Sequence, residues 1–203
     1  EEVTYLLREW HEGRECDVRE LSEVEEAVRA LAFLHRNFRT APEKETEKFR
    51  EESLETELRR KNAELRRVRK FIRSRRRKTE FEQEFLNHFE RFYEEAEKAL
   101  EEAGSGQIRA LFEKSMTEGI LCHGDYNQHH VLLSREGTAL TDFGHCHFGV
   151  RTGDLARFFR KILEKQNWDK VYGNAMLREY GRVRPLSEEE REDLRVRLSY
   201  PEK

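Results

Sequence analysis

The chain has 203 residues, of which 40% are charged and only 36% belong to the hydrophobic class, and its formal net charge is −3. That length suits one domain or one large lobe with an appended element, and so lean an apolar fraction predicts a small globular part joined to long solvated helices. The near-balanced charge excludes a partner chosen by bulk electrostatics, and three cysteines (Cys16, Cys122, Cys146) exclude a disulfide framework and suit a reducing compartment. No apolar run approaches the ~20 residues of a membrane span and no signal peptide is visible, so a cytoplasmic protein without a membrane partner is expected. The chain opens on Glu1, directly before the apolar run VTYLL, and reads as a piece of a longer protein.

Residues 3–7 read as a short strand, after which REWHEGREC turns through Gly13. Ser22 and Glu25 have the spacing of a capping box, and the helix they would start places Val24, Ala27, Val28, Leu31, Leu34, His35 and Phe38 on one face. Pro42 ends that unit. From 43 to 103 there is no Gly or Pro, and Glu, Arg and Lys dominate. Leu54, Leu58, Leu65, Val68 and Ile72 form one apolar stripe with a gap at Lys61. Phe81, Phe85, Phe89, Phe92, Ala96 and Leu100 form a second, opened by a capping box at Thr79 and Glu82. Two helices in a hairpin, joined at SRRRKT, follow. GSGQ at 104–107 stops the second, and a short helix carries Ile108, Leu111 and Phe112. Strand-like GILC, the loop HGDYNQHH, strand-like VLL, a turn at Arg135–Gly137 and strand-like ALTDF come next. A helix over GDLARFFRKILEKQ and a final one capped by Ser187 and Glu190 complete the chain.

The chemistry concentrates in residues 121–144. Asp125, on a loop between two short apolar runs, can accept a proton from an attacking hydroxyl, while Gly124 lets the backbone turn tightly. Asp142 follows 17 residues later in Asp-Phe-Gly, a setting in which a carboxylate holds a divalent ion on nucleotide phosphates. Asp154, in Gly-Asp-Leu-Ala at a helix start, can brace the loop or simply complement the helix dipole.

HGDYNQHHVLL, TDFG and GDLARFF resemble the C-lobe of the aminoglycoside-phosphotransferase-like kinases, relatives of the protein kinases. YLLREWHEG resembles that family's hinge between lobes and LAFLH its first C-lobe helix, and within the family the likeness is nearest to the bacterial spore-coat CotS group. It covers residues 3–38 and 119 to about 170. The resemblance implies a mainly α fold with a small β component (α+β), made of a hinge and first helix (1–40), a charged helical insertion (41–105) and the catalytic-loop and metal-motif part (106–203), all one lobe with the N-lobe absent. It implies a transferase, an ATP- and Mg-dependent kinase acting on a small-molecule hydroxyl. Asp125 resembles the catalytic base, Asp142 the magnesium ligand, and the backbone of Glu9, Trp10 and His11 the nucleotide-binding hinge. His123 and Asp154, with Gly124 and Gly144, resemble the residues that hold the loop. The family usually has asparagine five positions after the base, as a second metal ligand. Here that position is His130, and imidazole is a poor magnesium ligand. An inactive kinase-like spore-coat component, with coat proteins as partners, is therefore the alternative to an enzyme.

Two clusters have competing readings. Cys122, His123, His129, His130, His145, Cys146 and His147 suggest a transition-metal site, but their spacing matches no familiar zinc pattern. Residues 59–78 hold 12 Lys and Arg against Glu64 alone. That run reads either as an anion-binding face, for nucleic acid, a phosphorylated substrate or an acidic partner, or as a solvated helix paired with the acidic segments on both sides. The flanking acids favour the second reading.

Overall fold

The computed structural model describes residues 10–202. The expected strand at 3–7 lies outside them. The elements in chain order are β1 (Arg14–Glu15), α1 (Leu21–Asn37), α2 (Leu54–Ser74), α3 (Glu80–Ala103), α4 (Gly106–Thr117), β2 (Leu121–Cys122), β3 (Val131–Leu133), β4 (Thr138–Leu140), β5 (His147–Phe148), α5 (Thr152–Lys165), α6 (Lys170–Val183) and α7 (Glu188–Ser199). The fold is thus mainly helical with small sheets, as expected. β3 lies between β1 and β4 in an antiparallel sheet, with Leu132 opposite both Glu15 and Ala139. β2 and β5 form a separate antiparallel pair.

Two cores result. One joins α1, α5 and α6 through Val24, Leu31, Phe158, Ile162, Met176 and Tyr180, with Tyr126 of the HGD loop buried among them. The Tyr126 hydroxyl donates to the Ala27 carbonyl at 2.7 Å, which satisfies its one polar atom. The other core joins the base of the α2–α3 hairpin to α7 through Leu54, Leu58, Ala96, Ala99, Val196 and Tyr200.

Several local expectations need correction. Ser22 and Glu25 form no capping box. α1 begins at Leu21 with Glu20 in the cap position and no side-chain cap, and it is Glu23 that accepts the Asp17 N–H and pairs with Arg14. Phe38 caps the helix C-terminus rather than extending its apolar face. The gap at Lys61 is filled from the neighbouring position. Asn62 is fully buried, donates to Glu97 at 2.8 Å and accepts from the Tyr200 hydroxyl at 2.9 Å. Val68, Phe81 and Phe92, assigned to the stripes, are exposed. The strand expected over ALTDF stops at Leu140, because Asp142 takes a left-handed conformation (φ 61°, ψ 62°). GILC contributes only Leu121 and Cys122 to a strand. The capping boxes at Thr79–Glu82 and Ser187–Glu190 both form.

Candidate active site

α5 brings Asp154 beneath the HGD loop. Its carboxylate is 1% exposed; one oxygen accepts the His123 N–H at 2.6 Å and the other the Gly124 N–H at 2.9 Å. His35 of α1 lies 3.3 Å from the same oxygen as His123, and its other nitrogen faces the Tyr180 hydroxyl at 2.8 Å. One neutral tautomer satisfies the chain: Tyr180 O–H donates to Nδ1, and Nε2–H donates to Asp154. Burial lowers the pKa of His35 and so favours that neutral form. Burial alone would raise Asp154, but the hydrogen bond from His35 and those from the two loop N–H groups outweigh it and hold the carboxyl below its ordinary value.

Gly124 has φ +84°, and a Cβ there would lie 2.0 Å from the His145 carbonyl oxygen, so only glycine fits. His123 is wholly buried. Its Nε2–H donates to the Thr141 carbonyl at 2.9 Å, and its Nδ1 accepts the Asp125 N–H at 3.4 Å. The ring therefore ties the loop to the end of β4 and packs on Phe143, with no edge free to meet a ligand. Both ring nitrogens are thus spent on backbone groups of the loop and of the strand end. Gly144 sits in the turn Phe143–His145 just after Asp142.

Asp125 keeps 36% of its side chain exposed, with Lys161 Nζ 3.3 Å from Oδ1. Burial works to raise its pKa, but the Lys161 bond and charge, helped by Asn127 and His130, hold it below the ordinary value. Asp142 is 51% exposed, and its Oδ2 lies 3.3 Å from His130 Nε2. Left-handed backbone at a residue other than glycine costs roughly 1–3 kcal/mol, and such strain collects at functional turns.

His130 links the two aspartates. Its Nδ1 is 2.8 Å from the Asp125 carbonyl oxygen and its Nε2 faces Asp142. Asn127 cannot replace the family's asparagine: its amide N–H reaches the Asp125 carbonyl at 3.0 Å and its oxygen accepts the His129 N–H at 2.9 Å. The donor set thus fits one hard divalent cation at Asp142, since magnesium is commonly held by one or two carboxylates plus water and phosphate oxygens. It offers no oxygen for a second ion at position 130.

The other expected residues scatter. Trp10, 86% exposed, and His11 border an open cleft of ≈ 840 Å³ beside the Ser134–Gly137 turn, while Glu9 lies outside the described residues. Among the described residues no three His, Cys, Asp or Glu side chains converge as a metal site. Cys122 is buried, His129 pairs with Glu15 at 2.5 Å, and His147 turns to the His145 carbonyl at 2.9 Å.

Two site residues escaped the sequence reading. Arg157 donates to the Gly124 carbonyl and lies 3.8 Å from Asp154, and Lys161 pairs with Asp125. With Asp154 they occupy i, i+3 and i+7 of α5, one face of the helix. That spacing was present in the sequence, but Arg160, Glu164 and Lys165 of the same helix obscure it.

A model of the phosphotransferase enzyme family (APH) matches residues 2–186. A crystal structure of an aminoglycoside phosphotransferase from Alicyclobacillus acidocaldarius superposes with a TM-score of 0.83 at 22% identity, covering 95% of this chain and 57% of that one. That likeness is one of fold, and the chain spans little more than half of the other protein's length. No curated protein matches. The family match runs unbroken through the first helix, the HGD loop, the Asp-Phe-Gly turn and the bracing helix, and the chain belongs to the APH phosphotransferase enzyme family.

Proposed function

We propose that this chain is the C-lobe of an ATP- and Mg-dependent kinase acting on a small-molecule hydroxyl, with Asp125 as the base and Asp142 as the metal ligand. The observation that carries this reading is the division of labour among the aspartates. Asp154 is buried and spent on the loop backbone, while Asp125 and Asp142 stay within reach of solvent on the loop it holds. Asp125 would accept the hydroxyl proton as the oxygen attacks phosphorus. Lys161 would keep it ionised and aimed until the acceptor arrives, and Arg157 would fix the Gly124 carbonyl. Asp142 would hold the ion that neutralises charge on the nucleotide phosphates. Trp10 and His11, which line the open cleft beside the Ser134–Gly137 turn, would meet the nucleotide base.

A second reading rests on His130. Its imidazole contacts Asp142 where the family resemblance would have an oxygen ligand, which suits a weak or inert kinase-like scaffold. Together with the resemblance to the CotS group, this supports a structural role in a spore coat, with coat proteins as partners.

Phosphoryl transfer from ATP to a panel of alcohol acceptors, followed by phosphorus NMR, separates the two. The enzyme reading expects turnover that falls by about 10²–10⁴ in Asp125→Asn. No turnover in the parent protein, together with normal assembly of Asp125→Ala, would leave the scaffold reading standing.

A further inference from the structure

The α2–α3 hairpin runs on past the part of it that the core uses. Lys61 and Asn62 are the last α2 side chains to bond outside the hairpin, to Glu202 and Tyr200. From Arg66 to Glu90 the polar contacts among the described residues stay inside it. Arg66 meets Tyr93, Arg69 and Arg73 meet Glu90, Arg75 meets Glu82, and Glu84 meets His88. At 1.5 Å per residue, the tip at Phe71 stands about 13 Å beyond Asn62.

Pairing with acids neutralises the base of the basic run, as the flanking glutamates lead one to expect, but not its end. Arg67, Lys70, Arg76 and Arg77 make no hydrogen bond or ion pair among the described residues, and Lys78 reaches only the Arg75 carbonyl. Two phenylalanines flank this cationic turn, Phe71 at 63% and Phe81 at 76% exposure. Neither serves the hairpin seam, where Ile72 and Phe89 are buried. A single exposed phenylalanine is unremarked on any surface, but here two lie at the end of the arm that also carries the unpaired cations.

The geometry points to this tip as a docking surface for an anionic lipid bilayer. Cations near such a surface each contribute on binding, and exposed aromatic side chains enter the headgroup boundary. Nucleic acid suits it less: single strands are held in grooves that track the backbone and stack bases on aromatic platforms, whereas Phe71 and Phe81 stand exposed at the end of a two-helix arm. The attachment is peripheral, since no described helix is long and apolar enough to cross a membrane. It is independent of the phosphotransferase reading.

Co-sedimentation tests it. The protein should pellet with vesicles of phosphatidylcholine and phosphatidylglycerol and stay in solution with phosphatidylcholine alone. Arg76→Glu combined with Arg77→Glu should weaken binding at least tenfold, on the order of what two reversed charges at an anionic surface imply. Phe71→Ser combined with Phe81→Ser should weaken it several-fold. An unchanged melting temperature in both double variants controls for folding. Equal binding to both vesicle types, no binding to either, or full binding by the phenylalanine variant would overturn the proposal. So would retention of the protein on a single-stranded oligonucleotide without any on the anionic vesicles.

Discussion

The HGD loop and the α2–α3 arm are both crowded with charge, and they use it in opposite ways. Around the loop, the groups that hold it are buried with named partners: Asp154 with His35 and two backbone N–H groups, His123 with Thr141, Tyr126 with Ala27. In the arm, each pair has at least one member in solvent and partners can be exchanged, as with Arg69 and Arg73 sharing Glu90. A buried polar group left without its partner bears the full cost of desolvation, whereas an exposed pair is worth little because water replaces either member. Residue identity is therefore fixed position by position in the loop, and only in aggregate in the arm.

The sharpest way to break this contrast is Asp154→Ala, which strands two buried N–H groups and His35. It should cost roughly 3–5 kcal/mol in urea unfolding. A loss no larger than that of an arm variant would erase the distinction.

Acid should expose the same contrast. His35, His123 and Asp154 all have folded pKa values below their ordinary ones. For such groups the unfolded chain takes up protons that the folded one refuses, so their stabilisation is complete above the ordinary value and declines as pH falls. Melting temperature should begin to drop below about pH 6.5 through the two histidines, and drop further below about 3.8 through Asp154. His35→Gln should flatten the first decline. A profile identical to that of the parent would show that His35 is not held neutral.

Tyr126→Phe removes one buried hydrogen bond and no volume of consequence, for about 1 kcal/mol in the same unfolding measurement. At the bottom of the scale, Arg66→Ala in the arm should shift stability by no more than ~0.5 kcal/mol. A larger change would mean that the arm is part of the cooperative core.

Legibility in the sequence followed the same division. HGD, Asp-Phe-Gly and Gly-Asp-Leu could be read because each residue answers a local demand that few others meet: Gly124 at φ +84° against the His145 carbonyl, or Asp154 facing two N–H groups. The Thr79 and Ser187 caps were legible for the same reason. Ser22 misled because the cap pattern does not register tertiary competitors: the helix already begins at Leu21, and Glu25 pairs with Arg178 of α6. α6 gave little signal: it contains Gly173 and Gly181, and its buried face mixes Ala175, Met176 and Tyr180 with Glu179, which is held by Arg29 and Arg182. Its helicity comes from packing on α1, which no local pattern announces. Lys161 and Arg157 were missed because their partners, Asp125 and Gly124, lie more than 30 residues away in sequence.

In the proposed one-metal phosphoryl-transfer centre, His130 stands where a second oxygen ligand would be. The most direct measurement is the magnesium dependence of ATP binding, by calorimetry, in the parent protein, Asp142→Ala and His130→Asn. The account predicts magnesium-dependent binding in the parent, its loss in Asp142→Ala, and tighter binding at high magnesium in His130→Asn. Binding that ignores Asp142→Ala, or no binding in the parent and in His130→Asn alike, would contradict it.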